Sequence, residues 1–244
     1  MKTLRLERAE STNSYVKEHA GSLDPMTLVY AVDQTAGRGQ RGNSWEAEPG
    51  MNLTLSFYFR PEGVKPAEQF AVSEAVALAV AALLDGYGIE AKVKWPNDIY
   101  VADRKICGIL IENSIMGSEI ARCVVGIGLN VNQKVFLSDA PNPVSMKMLT
   151  GQDYDLVKVM EALGEALESY LGRLDDREAL QREYMARLWR NDGRDYPFAD
   201  TASSERFMAR IEDVAPSGHL HLLRDGIRHA YAFKEIAFLP TNPN

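Results

Sequence analysis

The chain has 244 residues, 45% of them hydrophobic, and its 27 Lys and Arg against 34 Asp and Glu give a formal net charge of −7. This length allows one sizeable core and a small appended domain, while the acidic balance argues against a general nucleic-acid binder, whose affinity needs a basic face. Any anionic ligand would have to meet a local basic site.

Cysteine usage and the N-terminal residues indicate the compartment. The two cysteines, Cys107 and Cys123, lie in apolar runs without metal-ligand spacing, which favours buried free thiols in a reducing environment. The start, MKTLRLERAE, carries charges where a signal peptide needs an apolar segment, and no apolar run is expected to reach the ~18 residues of a membrane span. We therefore predict a cytoplasmic protein with no membrane partner.

The first part of the chain predicts a helix, two strands and a second helix. Three good N-cap residues, Ser11 to Asn13, open a short helix that closes at Gly21. Two β-rich runs follow, MTLVYAVDQ and MNLTLSFYFRP, and a glycine-rich loop joins them. The Ala-rich segment from Pro66 to Gly88 is apolar nearly all round, which predicts a buried helix.

The middle of the chain predicts more strands and two further helices. The runs EAKVKWPNDIYV, KICGILIENS and RCVVGIGLNVN are strand-like and broken by turn residues. A loop is expected from Phe136 to Gly151, followed by Asp153 as the N-cap of a helix with apolar residues recurring from Leu156 to Leu171. The segment DDREALQREYMARLWRNDG predicts the last helix.

The C-terminal segment changes to a β pattern. RFMARIEDV, GHLHLLR and IRHAYAFKEIAFL read as strands, and the dipeptide Asp225-Gly226 is a strong hairpin signal. We predict an α+β fold in which a mixed β-sheet backed by helices occupies residues 1–190. A small all-β domain is expected over residues 191–244.

The motif GRGQRG, Gly37 to Gly42, is the first candidate for ligand binding. Its glycines let backbone N–H groups crowd an anion, and Arg38 and Arg41 add permanent positive charge, which suits a phosphate or a carboxylate. Taken alone, the motif is equally compatible with a flexible surface hairpin.

A second motif, KWPNDIYVADRKICGILIE, runs from Lys94 to Glu112. It combines a basic, aromatic turn that contains Asn97 and Asp98 with Lys105 just before a buried strand. Turn chemistry alone could explain Pro-Asn-Asp, and the tryptophan could be a core residue. Neither motif alone identifies the function, so the order and spacing of several motifs must be considered together.

Five fragments, STN, QTAGRGQRG, KWPNDIY, RKICGILIE and GIGLNVN, occur in this order at family-like separations. In them the chain resembles the biotin protein ligase family, strongly over residues 8–132. Each fragment is weakly specific, but five in order are highly specific. The resemblance implies a class II synthetase-like biotin/lipoate ligase catalytic domain followed by a small SH3-like β-barrel.

The resemblance also implies a two-step activity. Biotin and MgATP would form biotinyl-5′-AMP with release of pyrophosphate. A lysine in the biotin carrier domain of a biotin-dependent carboxylase would then attack the acyl group. Because only ten residues precede Ser11, the N-terminal DNA-binding domain of the regulatory members is not expected, nor is a nucleic-acid partner.

By position, the resemblance implies three sets of site residues. The catalytic set is Arg38, Lys105 and Asp98. The biotin-binding set is Ser11, Thr12, Asn13, Gln34, Arg38, Gly39, Gln40, Lys105 and Gly108. The nucleotide-binding set is Arg38, Gln40, Arg41, Trp45, Asn97 and Asn130, with Trp45 stacked on the adenine. Asn130 would lie where the family handles the phosphates and Mg²⁺; no other metal ligand is assigned.

Two local features extend this interpretation. Gln40 stands where much of the family has arginine, which predicts weaker retention of the adenylate unless Arg41 or a backbone donor compensates. Lys147 lies between two methionines in VSMKM, as the target lysine of a carrier domain does. One hypothesis is that Lys147 is self-biotinylated. The favoured interpretation is an ordinary loop in which the methionines fill space.

Two other functions remain open. A lipoate or octanoate protein ligase would share the fold, although its Arg-Arg-x-Ser-Gly-Gly-Gly loop and His-Asp element are not found. A non-catalytic interaction module is the second alternative, in which Arg38 and Lys105 would be structural. An exposed sheet edge could pair two protomers as a homodimer.

Overall fold

The computed structural model describes residues 1–138 and 142–241, without the side chain of Arg41. A seven-stranded mixed sheet has the order β1-β2-β3-β7-β6-β5-β4. Its strands are β1 (Thr3–Ala9), β2 (Leu28–Gln34), β3 (Leu53–Phe59), β4 (Lys92–Lys94), β5 (Asp98–Val101), β6 (Arg104–Met116) and β7 (Glu119–Leu129). The helices are α1 (Thr12–His19), α2 (Phe70–Gly86), α3 (Met146–Thr150), α4 (Leu156–Leu171) and α5 (Arg177–Arg187).

The two faces of this sheet are covered differently. β1 and β2 are parallel and the other neighbouring strands are antiparallel. Helices α2, α4 and α5 pack together over one face, which holds the main hydrophobic core. The short helix α1 covers only part of the other face, beside β3 and β7. The uncovered part of that face is where a ligand can approach the sheet.

Side-chain alternation in the central strands produces this asymmetry. In β3, Leu53, Leu55 and Phe57 belong to the main core, whereas Thr54 and Ser56 point to the opposite face. Both sets are buried, because α1 and the chain segments around it cover the polar face of this strand. From Leu53 to Phe57, β3 therefore carries apolar residues toward the helices and small polar residues toward the other side.

A five-stranded antiparallel sheet follows, in the order β11-β10-β9-β8-β12. Its strands are β8 (Tyr196–Asp200), β9 (Arg206–Val214), β10 (Leu220–Arg224), β11 (Ile227–Tyr231) and β12 (Ile236–Phe238). The predicted hairpin is present, with positive φ at Asp225 (52°) and Gly226 (78°). Trp95 Nε1 donates a hydrogen bond of 2.9 Å to the Gly218 carbonyl, which joins this sheet to the larger one.

The α+β architecture confirms the predicted fold class, and the small second sheet is consistent with an SH3-like domain. The predicted boundary between residues 190 and 191 lies in the connection from α5 to β8 and stays a prediction. Helix α2 and the turn before it, Pro66–Gly86, are long and apolar enough for a membrane span. This differs from the sequence expectation, but 72% of the apolar window is buried, as in a core helix.

Several local predictions need correction. The charged N-terminal segment, for which no element was predicted, forms the edge strand β1. The strand-like run around Trp95 is a hairpin of β4 and β5 rather than one strand. Helix α3 lies inside the predicted loop, and Asp155 rather than Asp153 caps α4. Lys147 belongs to α3 and forms an ion pair with Asp153, so it is not displayed on a tight hairpin.

Candidate active site

A row of cross-strand neighbours runs across the open face of the large sheet. Lys94 on β4 pairs with Asp98 on β5, Asp98 with Gly108 on β6, Gly108 with Gly128 on β7, and Gly128 with Thr54 on β3. Residues that pair directly across a sheet share one face. Charged residues therefore occupy one end of the row, and two glycines lie at its centre.

The glycines make a floor of bare backbone. A Cβ atom added to Gly128 would lie 2.3 Å from Trp45 Cε2, and one added to Gly126, in the next row, would lie 2.2 Å from Asn13 Oδ1. Real Cβ atoms do not approach other atoms so closely, so only glycine allows Trp45 and Asn13 to rest on the sheet. The sequence GIGL thus alternates floor positions with core positions.

A neutral polar cluster lies beside this floor at the start of α1. The Thr12 amide and hydroxyl donate to Gln34 Oε1 at 3.0 and 3.2 Å. The buried Ser56 hydroxyl lies 2.7 Å from Thr12 Oγ1 and also contacts Asn13 Oδ1. Ser11 is buried at the N-cap, and its hydroxyl makes no capping hydrogen bond. These groups can donate and accept hydrogen bonds without adding charge.

Glu112 connects the polar cluster to the glycine loop. Its carboxylate accepts a hydrogen bond from Asn13 Nδ2 at 3.0 Å, pairs with Lys17, and lies 3.6 Å from Arg38 Nη2. Burial raises the pKa of Glu112, but the hydrogen bonds from Lys17 and Asn13 and the charge of Arg38 outweigh it and lower the pKa overall. Glu112 is therefore an ionised anchor rather than a proton donor near neutral pH.

The glycine loop forms a small hairpin over the floor. Trp45 N donates to Gly37 O at 2.9 Å, Gly39 N donates to Asn43 O at 2.7 Å, and a short 3₁₀ turn spans Gln40–Gly42. Gln40 Oε1 is buried without a hydrogen-bond partner among the described residues. The side chain of Arg41 lies outside the described part of the chain.

Lys105 and Asp98 form an ion pair at the charged end of the row, with 2.7 Å between Nζ and Oδ1. Lys105 Nζ also lies 5.7 Å from the centre of the Trp45 ring, which favours a cation–π contact. The preceding turn, with a cis Trp95–Pro96 bond, is fixed because Asn97 Nδ2 donates to the Ile109 carbonyl and Ile109 N donates to Asn97 O.

Most of these groups, but not Ser56 or Glu112, line a cavity of about 360 Å³, in the range of small-molecule sites. Most of the predicted site residues meet there: Ser11, Thr12, Asn13, Gln34, Arg38, Gly39, Gln40, Trp45, Asn97, Asp98, Lys105 and Gly108. Asn130 is not among the lining residues; it is buried, and its Nδ2 donates to the Val144 carbonyl at 3.1 Å. The structure therefore brings the motif residues together, apart from Asn130 and the undescribed side chain of Arg41.

Residues 6–130 match the model of the biotin/lipoate A/B protein ligase family, which covers half of the chain. A biotin–(acetyl-CoA-carboxylase) ligase from Paracoccus denitrificans is 31% identical over 180 residues, which cover 70% of this chain and 73% of the relative. The chain belongs to the biotin/lipoate A/B protein ligase family.

The chain is also similar to a longer relative in sequence and to a solved structure in fold. The bifunctional ligase/repressor BirA of Salmonella typhimurium is 37% identical over 134 residues, but the match covers only 42% of its length. The biotin protein ligase from Aquifex aeolicus, solved with biotin and ATP, has a TM-score of 0.80, 21% sequence identity and 97% coverage of both chains. At that identity the likeness establishes the fold.

Within the family fold, the cavity also contains residues that the sequence motifs did not predict. Gly126 and Gly128 complete the floor, and Lys94 extends the charged end of the row. The C-terminal sheet supplies one wall through Phe233 and a run from Ile236 to Phe238. The floor could have been predicted from sequence, because two glycines lie two residues apart on one strand. No sequence pattern indicated that the C-terminal sheet would form a wall of the cavity.

Proposed function

We propose that the chain is a biotin protein ligase. It activates biotin with MgATP as biotinyl-5′-AMP, releases pyrophosphate, and transfers the biotinyl group to a lysine of a biotin carrier domain. The observation that carries the proposal is the placement of two fixed cations, Arg38 and Lys105, around a bare floor that adjoins a neutral polar cluster.

The first half-reaction requires two anions to meet. The biotin carboxylate must attack the α-phosphate of ATP, and both groups are negatively charged. Fixed cations offset this repulsion and stabilise the charge that develops in the transition state. Arg38 and Lys105 take this role, and Asp98 positions Lys105 through their 2.7 Å ion pair.

The neutral cluster suits the uncharged ureido ring of biotin. Ser11, Thr12, Asn13 and Gln34 offer hydroxyl and amide groups that match its N–H donors and carbonyl acceptor. Gly108 is assigned to the bicyclic ring together with Gly39 and Gln40 of the loop; the Trp45 indole rests against Gly108, so the ring would bind beside this indole. Trp45 is assigned to the adenine, because its indole lies over the floor between the loop and Lys105.

Magnesium enters this proposal as part of the MgATP substrate. The described residues contain no group of three or more His, Cys, Asp or Glu that could hold a metal. Asp98 is the sole carboxylate among the described residues that line the cavity. This donor set fits Mg²⁺, which commonly binds nucleotide phosphates with one or two protein carboxylates. The assignment of Asn130 to this region remains part of the proposal.

Gln40 bears on how well the adenylate is retained. Gln40 is neutral, and its buried oxygen has no hydrogen-bond partner within the described part of the chain, so it cannot attract a phosphate as arginine would. We expect Gln40→Arg to slow the escape of biotinyl-5′-AMP by about tenfold, equivalent to about 1.4 kcal/mol. Release can be measured by filter separation of labelled adenylate, and equal release rates from both proteins would contradict this role.

The proposed partner is the biotin carrier domain of a biotin-dependent carboxylase, without nucleic acid or membrane. The outer strand β1 has no strand paired to its free edge among residues 1–138 and 142–241, which supports a second protomer as a further partner. Cytoplasmic location is also part of the proposal, supported by two free, buried cysteines.

Biotin-dependent exchange between ATP and labelled pyrophosphate tests the proposal. The wild-type chain should exchange with biotin and not with lipoate, and Arg38→Ala and Lys105→Ala should each reduce the rate by about 10²–10³-fold. Arg122→Ala is a matched control, because Arg122 lies on β7 outside the cavity. Exchange with lipoate alone would indicate a lipoate ligase, and absence of exchange with both would indicate a non-catalytic module.

A further inference from the structure

Lys94 is a cation of the cavity to which neither the motifs nor the proposed reaction assigns a role. Its cross-strand partner is Asp98, whose own partner is Gly108, so Lys94 occupies the same face as the floor. Two strand spacings separate Lys94 from Gly108, which corresponds to about 10 Å along the row. Lys94 thus lies beyond the Lys105–Asp98 ion pair, at the outer end of the cavity.

The environment of Lys94 differs from that of the other two cavity cations. Lys105 is paired with Asp98 and Arg38 lies near Glu112. Among the residues that the structure describes, no carboxylate forms an ion pair with Lys94. Its Nζ donates a 3.0 Å hydrogen bond to the Tyr100 hydroxyl.

Three aromatic rings surround the ammonium group. The distances from Lys94 Nζ to the ring centres are 4.6 Å for Tyr100, 5.4 Å for Trp189 and 5.6 Å for Phe238. Burial lowers the pKa of Lys94, as expected where a positive charge has lost water without gaining a full counter-charge. An ammonium has three donors, so hydrogen-bonding capacity remains for an anionic ligand.

The adenylation step creates such an anion. A biotin carboxylate oxygen forms a bond to the α-phosphorus, the bond from that phosphorus to the oxygen bridging to the β-phosphate breaks, and its electron pair leaves on pyrophosphate. Arg38 and Lys105 are committed to the carboxylate and the α-phosphate, so the leaving group needs a separate cation. Lys94 is the remaining cation among the described lining residues.

We infer that Lys94 binds the β- and γ-phosphates of ATP and stabilises the departing pyrophosphate. This inference rests on the proposed ligase function and adds a residue that serves one half-reaction only. The adenylate retains only the α-phosphate, so Lys94 has no ligand during transfer to the carrier lysine. A structural cation–π clamp between β4 and β12 is the alternative, and it would affect both half-reactions alike.

The test compares the two half-reactions in full-length Lys94→Met, which keeps an unbranched apolar side chain in the aromatic surroundings. Biotin-dependent pyrophosphate exchange measures the first step. Transfer from preformed biotinyl-5′-AMP to an apo-carrier domain measures the second. Lys92→Met is the matched control, since Lys92 lies two residues earlier on the same strand, outside this cavity, with its Nζ 3.9 Å from Glu90.

We expect Lys94→Met to lower kcat/KM for ATP in the first step by about 100-fold and to change the transfer rate by less than about twofold. Lys94→Arg should recover part of the exchange rate, because it retains the charge. Inhibition by added pyrophosphate should weaken in Lys94→Met and not in Lys92→Met.

Two results would overturn the inference: unchanged exchange in Lys94→Met, or equal losses in exchange and transfer. If Lys94→Met does not fold, Lys94→Arg and Lys94→Gln provide the comparison between a charged and a neutral side chain. Equal inhibition of these two variants by pyrophosphate would also overturn the inference. Failure of the ligase proposal is seen separately, as absence of biotin-dependent exchange in the wild-type chain.

Discussion

The two faces of the large sheet use the same strands for opposite purposes. Toward α2, α4 and α5, strands β3 and β7 present Leu55, Phe57 and Ile127, which pack in the main core. Toward the cavity, the residues between them are small or polar, as at Ser56 and Gly128. Apolar side chains fill the space on the helix-covered face and stabilise the fold, whereas small side chains on the other face leave room for a cavity. Substitutions at adjacent strand positions should therefore differ in effect: those facing the cavity should lower activity, and those facing the helices should lower the free energy of unfolding.

The largest expected effect comes from substituting neighbours on β7. Gly128→Ala places a methyl group against Trp45 and should reduce kcat/KM by about 100-fold or more, because a misplacement of about 1 Å has that effect. Ile127→Ala removes buried apolar volume and should lower the free energy of unfolding by about 2–5 kcal/mol. Pyrophosphate exchange and urea denaturation of both variants test the separation, which fails if each variant loses both properties equally.

A pH-dependent effect is expected on the helix-covered face, where Glu74 of α2 is buried. Burial raises its pKa from 4.5 to about 8. Between these values the folded protein keeps a proton that the unfolded chain releases, so this contribution to stability is full below pH 4.5 and is lost as the pH rises toward 8. The loss has an upper limit of about 1.4 kcal/mol per pH unit.

Glu74→Gln removes this titration. The difference in unfolding free energy between the variant and the wild type should increase in favour of the variant from pH 5 to pH 8 and then level off. Urea denaturation at a series of pH values measures it, with the exposed Glu161→Gln as control. Parallel pH profiles for Glu74→Gln and the wild type would show that Glu74 does not titrate in this way. Tyr184 is the neighbouring titratable group.

The smallest effect is expected at Ser56, on the cavity face of β3. Its hydroxyl holds the side chains of Thr12 and Asn13, so Ser56→Ala should weaken biotin binding by about fivefold, equivalent to about 1 kcal/mol. Isothermal titration with biotin measures this change. Thr35→Ala, at an exposed site beyond β2, should leave the affinity unchanged. A larger effect at Thr35 than at Ser56 would contradict the role of the polar cluster.

The strongly patterned elements could be predicted from sequence, and α1, β2, β3, α2, β6 and β7 lie where expected. Strand β1 was missed because its charged residues alternate along an exposed sheet edge and its partner β2 lies beyond α1 in the chain. Strand β8 was missed because it is short and contains Pro197. These elements depend on neighbours that no local pattern identifies.

The site residues differ in the same way: those within contiguous motifs could be predicted from sequence, whereas those that depend on strand pairing could not. Contiguous motifs predicted Arg38, Asp98 and Lys105, which line one cavity. Lys94 lies inside a quoted motif, but its relation to the floor depends on the pairing register of β4 to β7. Asn130 shows the converse: it lies in a recognisable motif, but its side chain is buried and donates to the Val144 carbonyl instead of lining the cavity.

The two cysteines have a practical consequence for spectroscopy. Cys107 and Cys123 are fully buried, and burial raises the pKa of each thiol, that of Cys123 to about 12. Alkylating probes react with the thiolate, so both native thiols should stay unlabelled in the folded protein. A single cysteine introduced at the exposed Asn43 would then accept a fluorophore or spin label selectively. The glycine loop could be followed through the catalytic cycle without first replacing the native cysteines.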